Sequence, residues 1–98
     1  MLMALLALTA PVVHADDQAL VRLVRQDCGS CHGMTLKGGL GTPLTAQALQ
    51  ERSVDTLSAT ILYGRAGTAM PGWKSMLSEA DAQWIANHLH EGFPEEQR

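Results

Sequence analysis

The sequence is poor in aromatic residues and in cysteine. Aromatic residues make up 4% of its 98 residues, and its only cysteines are Cys28 and Cys31. This length is enough for one small domain. A domain of this size buries little apolar surface and usually needs a metal, disulfides or a cofactor to be stable. The two cysteines are therefore the first candidates for holding such a stabilising group.

The sequence also lacks an excess of positive charge. Its formal net charge is −3 at pH 7, and its pI is near 5.7. A domain that binds nucleic acid normally carries a basic patch or stripe. We therefore expect no nucleic acid partner.

A long apolar run is missing as well. Residues 1–13 are almost wholly apolar, but a membrane span takes about 20 residues. The run fits the core of a signal peptide, followed by small residues at Val13 and Ala15; a buried N-terminal helix is the alternative. We predict a signal peptide at residues 1–15 and export to the periplasm. Residues 16–98 are predicted to form a single monomeric domain without a membrane span.

The rest of the chain shows no sustained strand-like alternation, which predicts an all-α fold. Capping residues such as Thr45, Ser53 and Ser78 mark the starts of helices, and Gly64 and Gly92 mark ends. The predicted helices comprise residues 17–27, 45–50, 54–63 and 79–91. Residues 38–43 and 67–73 are predicted to be loops.

The residues from Cys28 to His32 read CGSCH, a pattern typical of covalent haem attachment. Two thiols three residues apart at the end of a helix can each add to one of the two vinyl groups of a single haem. The next residue, His32, then places its imidazole beneath the iron. The motif predicts one haem c attached through Cys28 and Cys31, with His32 as an axial iron ligand.

Three other kinds of site would use the same residues. A thioredoxin-type dithiol requires a preceding strand, and the sequence predicts none. A structural zinc ion needs four ligands, so the three motif residues would have to recruit His88 or His90. A disulfide is permitted in an exported protein. It would close too small a loop to stabilise much, and it would leave His32 without a role.

A second axial ligand is predicted at Met70, in the loop before the last helix. A thioether is a soft ligand, and a methionine opposite a histidine raises the reduction potential of a haem iron. Pro71 stiffens the loop beside it. The alternative is that Met70 only fills the core, which is a common role for methionine. The other candidates are Met34, which is too close to His32 to reach the opposite face, Met76, which is expected to begin the packing of the last helix, and His88 and His90.

Three segments together resemble the class I cytochromes c. They are Cys28–His32, Gly41–Leu44 and Ala69–Pro71, in that order. The resemblance implies a helical fold with the haem in its core, in which the first and last helices cross. The residues expected at the crossing are Leu20, Val24, Trp84, Ile85 and Leu89.

The class I resemblance also implies that a carbonyl in the loop after the motif accepts the N–H of the proximal imidazole. Thr42 is the candidate, although Pro43 lies one place later than the proline of the family. Arg65 and Trp73 are candidates to contact a haem propionate, through paired hydrogen bonds and the indole N–H respectively. The alternatives are a solvated arginine and a core tryptophan.

A narrower resemblance is to the small denitrification cytochromes of the NirC family. It rests on the segments Cys31–Gly41 and Ala59–Trp73. That family goes with the cytochrome cd nitrite reductase, and is associated with electron donation to this enzyme or with maturation of its d-type haem. The resemblance implies nitrite reductase and an upstream electron donor as redox protein partners.

With both axial positions filled by His32 and Met70, the iron has no position for a substrate. We therefore predict a one-electron carrier rather than an enzyme. Its docking surface is predicted to be a small apolar patch at the haem edge. The candidates for that patch are Met34, Leu36, Leu40 and Pro71. The alternative functions are an accessory protein in d-type haem maturation and a gas sensor or peroxidase-like protein with an open iron position.

Overall fold

The computed structural model describes residues 15–96, and the regular structure within that range is entirely helical. The elements are α1 (Ala15–Leu23), a π-helical turn (Val24–Cys28), α2 (Gly29–His32), α3 (Ala46–Leu49), α4 (Val54–Tyr63) and α5 (Glu79–Glu91). The predicted all-α fold is confirmed. The predicted signal peptide lies outside the described residues, apart from Ala15, where α1 begins.

The N-terminal helical run continues farther than predicted. The expected end near residue 27 is wrong, because α1, the π-helical turn and α2 follow one another without a break to His32. Within this run, the Ser30 hydroxyl donates a hydrogen bond to the Asp27 backbone carbonyl at 2.7 Å. The run stops at Gly33, whose φ of 93° is a backbone conformation that few residues other than glycine adopt. The whole CGSCH motif is therefore helical.

The predicted helix caps are confirmed. The side chains of Thr45 and Ser53 accept hydrogen bonds from backbone N–H groups at the starts of α3 and α4. Ser78 and Asp81 form a capping box at the start of α5, with both hydrogen bonds at 3.0 Å. Gly64 ends α4 with a φ of 74°. These local signals fix where α4 and α5 begin and end.

The apolar core includes residues of α4, α5 and the π-helical turn. Val24 of the turn is 0% exposed and Ile85 of α5 is 1% exposed. They share one apolar cluster with Leu89, and Leu20 and Trp84 pack against it. The first and last helical segments therefore meet at the residues expected from the resemblance. The other buried members of the cluster are Leu36, Leu49, Leu57, Leu62, Leu77, Ala82 and Ala86.

Arg25 ties the segment after α5 to the N-terminal helical run. Its guanidinium donates to the carbonyl oxygens of Phe93 at 2.8 Å and Pro94 at 3.0 Å. Arg25 is only 8% exposed, and a buried charge is tolerated only when it is hydrogen-bonded or paired. The contact fastens the π-helical turn, which ends at Cys28, to the residues that follow α5.

Two side chains contradict the predictions. Leu36, expected on an exposed docking patch, is 2% exposed and belongs to the core. Its φ is 60°, a conformation that costs a leucine about 1–2 kcal/mol, whereas burying its side chain gains about 1.5–3 kcal/mol. Met76, expected to begin the packing of the last helix, is 65% exposed. Leu77 takes that position instead, because it is 5% exposed.

Among residues 15–96, no helix is long and apolar enough to cross a membrane.

Candidate haem-binding cleft

One cleft of about 730 Å³, including its open mouth, lies against the CGSCH motif. Most of its lining side chains are apolar, and its polar groups are few. The lining residues are Val24, Cys28, His32, Thr42, Leu44, Leu49, Arg52, Leu57, Thr60, Ile61, Arg65, Met70, Trp73, Leu77, Ile85 and Leu89.

The cleft brings together six of the seven site residues named from the sequence. Cys28, His32, Thr42, Arg65, Met70 and Trp73 all line it. Cys31 is not among the lining residues and is exposed, three positions after Cys28 on the same helical run. The motif and the Met70 loop therefore face one common space.

His32 is oriented by the loop that follows it. Its Nδ1 lies 2.6 Å from the carbonyl oxygen of Thr42. A carbonyl only accepts, so Nδ1 carries the proton and donates it, and Nε2 keeps its lone pair free. A hydrogen bond of this kind selects the tautomer and the orientation of a histidine that binds a metal. His32 is thus prepared to ligate through Nε2.

Gly41 makes room for the imidazole of His32. A Cβ atom on Gly41 would lie 2.7 Å from both Cε1 and Nδ1 of the ring, which is closer than packed atoms approach one another. The N–H of Gly41 donates to the Cys31 carbonyl at 2.7 Å, and the N–H of Gly38 donates to the His32 carbonyl at 2.8 Å. The loop is therefore fastened to the backbone of the motif on both sides of the ring.

The Met70 loop is fastened to the end of α4. The last carbonyl groups of a helix have no partner within it. Here the Ile61 carbonyl accepts from the Trp73 N–H at 2.9 Å, and the Leu62 carbonyl accepts from the Lys74 N–H at 3.1 Å. The returning loop thus satisfies the C-terminal end of α4, and this pairing places Met70 at the cleft.

Two glycines permit this close approach of the Met70 loop to α4. A Cβ atom on Gly64 would lie 2.6 Å from the Met70 carbonyl oxygen, and one on Gly72 would lie 2.6 Å from the Leu62 carbonyl oxygen. No sequence signal identified these contacts, because they join segments that are separated along the chain. Gly64 was assigned only as the end of α4.

The pKa of the Cys28 thiol is raised to about 11, chiefly by burial and also by the nearby charges of Asp27 and Cys31. At neutral pH Cys28 is therefore a protonated thiol. Thiolates, not thiols, are the nucleophiles of dithiol redox sites. Cys28 lacks the low pKa that such sites require.

The remaining structural observations weigh against the other uses of the motif. Cys28 follows a helix, not the strand of a thioredoxin-type site. Within residues 15–96, no three His, Cys, Asp or Glu side chains are grouped to hold a metal ion. His88 Nδ1 lies 2.7 Å from the Trp84 carbonyl, and His90 Nε2 lies 2.5 Å from the Arg52 carbonyl. Neither histidine joins the cysteines.

Two arginines line the cleft, and only one was expected. Arg65 was named from the sequence, whereas Arg52, which follows α3, was not. The Arg52 carbonyl accepts from His90 of α5, a contact between residues far apart in the sequence. Cations beside an otherwise apolar cleft suit a cofactor that carries carboxylates on an apolar ring.

The chain is similar in sequence to known proteins over most of its length. Residues 15–89 match the family model described as cytochrome c oxidase, cbb3-type, subunit III. Cytochrome c55X of Paracoccus denitrificans (strain Pd 1222) is 55% identical over 92 residues, which cover 91% of this chain and 89% of that protein.

Two solved structures are also similar. A structure described as c-type cytochrome NirC is 49% identical, with a TM-score of 0.76 over 80% of this chain and 93% of that one. Dihydro-heme d1 dehydrogenase NirN in complex with DHE is 32% identical, with a TM-score of 0.68. The match covers 79% of this chain but 17% of NirN, so it concerns one part of a longer protein.

Proposed function

The chain belongs to the cytochrome c family that includes cytochrome c55X and NirC, and from this premise we propose a periplasmic one-electron carrier whose haem iron is ligated by His32 and Met70. Its cofactor is one covalently bound haem c. It is an electron-transfer cytochrome related to NirC of denitrification, not an enzyme. What we propose beyond this family membership is the pair of iron ligands, the redox partner and the periplasmic location.

One observation carries the proposal: His32 and Met70 belong to separate segments of the chain, and both line the same apolar cleft. The residues fit a c-type haem, because Cys28 lines the cleft beside His32 and Cys31 lies three residues away on the same helical run. When bound, haem supplies an iron that is oxidised and reduced by one electron.

His32 holds its proton on Nδ1 by donating to the Thr42 carbonyl, so its Nε2 is the ligating atom. The same hydrogen bond raises the basicity of the ring. On the other side, the Met70 thioether is a soft and weakly basic ligand that favours the reduced state. With His32 and Met70 both holding the haem iron, no position would remain for a substrate, and one-electron transfer is the chemistry that the bound haem would supply.

The apolar lining of the cleft would exclude water from a haem iron bound there. Leu57, Ile85 and Leu89 are at most 7% exposed. A dry, apolar surrounding raises the reduction potential, because it disfavours the extra charge of the oxidised iron. Arg52 and Arg65 at the same cleft are placed to pair with carboxylates of the cofactor.

Methionine ligation is tested by the absorption spectrum of the oxidised holoprotein. We expect a Met–iron charge-transfer band that is lost in Met70→Ala. Met34→Ala and Met76→Ala are the matched controls, because both side chains are 65% exposed and neither lines the cleft. A band that survives Met70→Ala, or reduced wild-type protein that readily binds added carbon monoxide, would show that Met70 is not the ligand.

The proposed acceptor is the cytochrome cd nitrite reductase of denitrification. The reduced holoprotein is mixed with purified nitrite reductase and nitrite, and its oxidation is followed optically. We expect oxidation that depends on both the reductase and nitrite. Absence of turnover under conditions in which the reductase accepts electrons from another donor would contradict this partner.

A second function is favoured by a specific observation. Part of the dehydrogenase NirN, whose structure is described as a complex with DHE, is 32% identical to this chain. A role beside such a dehydrogenase in the assembly of the d-type haem follows by similarity. Loss of d-type haem in a deletion strain, together with no electron transfer to mature nitrite reductase, would favour this second function over the first.

The proposed compartment is the periplasm. Its support is the apolar segment at residues 1–13, and covalent haem attachment at a CGSCH motif takes place outside the bacterial cytoplasm. Cell fractionation and N-terminal sequencing of the purified holoprotein test it. We expect a mature chain that begins near Asp16 and is recovered in the periplasmic fraction; an uncleaved cytoplasmic chain contradicts it.

A further inference from the structure

Arg52, one of the two arginines at the cleft, lies in the short link between α3 and α4. Its side chain lines the cleft and is exposed. Within residues 15–96, the ion pairs with acidic side chains are made by Arg22 and Arg25, on the N-terminal helical run. The Arg52 guanidinium is therefore available to pair with a carboxylate of the cofactor.

The backbone of Arg52 is held at both of its polar groups. Its N–H donates to the carbonyl of Leu49, the last residue of α3, at 3.0 Å. Its carbonyl lies 2.5 Å from Nε2 of His90. A carbonyl only accepts, so Nε2 carries a proton and donates it. Because α3 has four residues, too few to be stable by itself, the bond from α5 fixes the link that follows α3.

His90 differs from His88, its neighbour on α5, in the residue to which it is bonded. Nδ1 of His88 lies 2.7 Å from the carbonyl of Trp84, a residue of the same helix. The His88 ring also stacks on the Trp84 ring, with centroids 3.7 Å apart. Nε2 of His90 instead reaches a residue 38 positions earlier in the chain. Both histidines are half-buried, but only the His90 contact joins α5 to a residue that lines the cleft.

Arg65, the other arginine of the cleft, is held by bonds within its own loop. Its carbonyl accepts from the N–H of Thr68 at 3.1 Å and from the Thr68 hydroxyl at 2.7 Å. Its N–H donates to the Met70 carbonyl at 3.4 Å. The two cations of the cleft are therefore positioned by different parts of the fold, and Arg65 is the internal comparison for Arg52.

We propose that His90 is a positioning residue, whose hydrogen bond to the Arg52 carbonyl holds the Arg52 guanidinium where it pairs with a carboxylate of the haem. This rests on the proposed carrier function and assigns a role to a residue that does not itself line the cleft. Paired hydrogen bonds between a guanidinium and a carboxylate require a defined geometry. A side chain keeps such a geometry only when other residues support it from behind.

The position of Arg52 bears on the reduction potential. A carboxylate of the cofactor stabilises the oxidised iron, which carries one more positive charge than the reduced iron. A guanidinium paired with that carboxylate offsets this effect, so displacement of Arg52 should lower the potential. At a fixed applied potential, we expect His90→Leu to raise the ratio of oxidised to reduced protein about threefold. This corresponds to about 28 mV, because a tenfold change is 59 mV for one electron.

A redox titration of the purified holoprotein at pH 7 measures this ratio. His88→Leu is the matched control, because it makes the same change on the same helix without touching Arg52, and the ratio should stay as in the wild type. His90→Gln should restore the ratio, since its Nε2 is also a donor and lies the same number of bonds from Cβ. An unchanged ratio in His90→Leu, or an equal rise in His88→Leu, would overturn the proposal.

Arg52→Ala separates positioning from a merely structural role. Alanine removes the guanidinium but keeps the carbonyl that accepts from His90. In an Arg52→Ala background, His90→Leu should still lower the free energy of unfolding but should no longer change the ratio of oxidised to reduced protein. In an Arg65→Ala background, it should change that ratio as it does in the wild type.

Two outcomes of this cycle would overturn the proposal. A change of the ratio that persists without the Arg52 guanidinium would show that His90 acts on the iron by another route. An Arg52→Ala variant with the wild-type ratio would show that Arg52 does not pair with the cofactor. The ligand pair is judged separately, by the Met–iron band of the wild type. Absence of that band would contradict ligation by Met70, while the titrations would still decide the role of His90, because all the variants carry the same haem.

Discussion

Gly41 lies directly against the imidazole of His32, at a distance that leaves no room for a methyl group. A Cβ atom on Gly41 would come within 2.7 Å of two ring atoms. The ring is therefore confined between the Gly41 backbone and the hydrogen bond to the Thr42 carbonyl. The proximal side of the cleft depends on a residue that contributes no side chain.

Gly41→Ala should disturb this side of the cleft. The added methyl forces the ring or the loop to move, and overpacking of this kind costs about 1–3 kcal/mol of the free energy of unfolding. Chemical denaturation of the holoprotein, followed by its absorption, measures the loss. Gly29→Ala, in the adjoining CGSCH motif, is the control, because its Cβ meets atoms only at 3.6 Å and beyond. A helical alanine there should be neutral or stabilising by about 0.5–1 kcal/mol.

Thr42→Ala should leave the site intact. The group that accepts from His32 is the backbone carbonyl of Thr42, not its hydroxyl, and alanine keeps that carbonyl. We expect the reduction potential and the Met–iron band of Thr42→Ala to match the wild type in voltammetry and absorption spectra. A large shift of the potential would show that the side chain, rather than the main chain, controls the ring.

Gly72→Ala should loosen the Met70 loop. Its Cβ would lie 2.6 Å from the Leu62 carbonyl oxygen, which accepts one of the hydrogen bonds that join the loop to α4. We expect the Met–iron band to weaken and carbon monoxide to bind the reduced protein more readily. Gly67→Ala is the comparison in the same loop, because it strains a backbone with a φ of +75° but its Cβ meets nothing within 4 Å. Equal loss of the band in both variants would show that any disturbance of the loop releases Met70, and not the α4 contact in particular.

Arg25→Ala should destabilise the fold although Arg25 does not line the cleft. It removes the charged donor to the Phe93 and Pro94 carbonyls, and hydrogen bonds to charged groups are worth about 1.5–3 kcal/mol. Thermal or chemical unfolding of the holoprotein measures this loss. Arg22→Ala is the control. It removes the ion pair between Arg22 and Glu96, in which the arginine side chain is 62% exposed, and such exposed ion pairs contribute about 0–1 kcal/mol to the free energy of unfolding. Similar losses in both variants would contradict a special role for the buried arginine.

Without haem, the chain should be poorly folded, because a domain of this size buries little apolar surface by itself and the cofactor supplies the missing core. A Cys28→Ser/Cys31→Ser chain should lack a cooperative unfolding transition in circular dichroism. Alkylation of the unattached wild-type chain gives an independent measurement. An unfolded chain exposes both thiols and reacts at both with similar rates. If the fold persisted, Cys31 would react first, and Cys28 would react faster only as the pH rose toward its pKa of about 11.

The features predicted correctly from the sequence are those that local chemistry determines. The caps at Thr45, Ser53 and Ser78 follow from side-chain oxygens that reach N–H groups three residues away, and the structure contains all three. The helical run through the motif was underestimated, because a glycine and a serine between cysteines give no helical signal. Its end at Gly33 depends on a positive φ that composition does not reveal.

The features that the sequence did not reveal are contacts between distant segments. Arg52 gave no signal of lying at the cleft, since its position depends on how α3 packs near α5 and on the His90 contact with its carbonyl. Leu36 is predicted on the docking patch because it lies close to the attachment motif. Its burial depends on a backbone conformation with positive φ, and packing in the core offsets the free-energy cost of that conformation. The role of the Thr42 carbonyl as acceptor was predicted from the family resemblance. It could not be predicted from the residue itself, because every residue has a backbone carbonyl.

The separate fastening of the two loops has a consequence for redesign. The loop that follows His32 is hydrogen-bonded to the backbone of the CGSCH motif. The loop that carries Met70 is hydrogen-bonded to the end of α4. The two proposed ligands are therefore held by different parts of the fold. Rebuilding the Met70 loop with a histidine, or with no ligand at all, should leave the hydrogen bond that orients His32 in place. A chain rebuilt with no ligand there is expected to offer an open iron position, as a sensor needs, in place of a carrier's closed one.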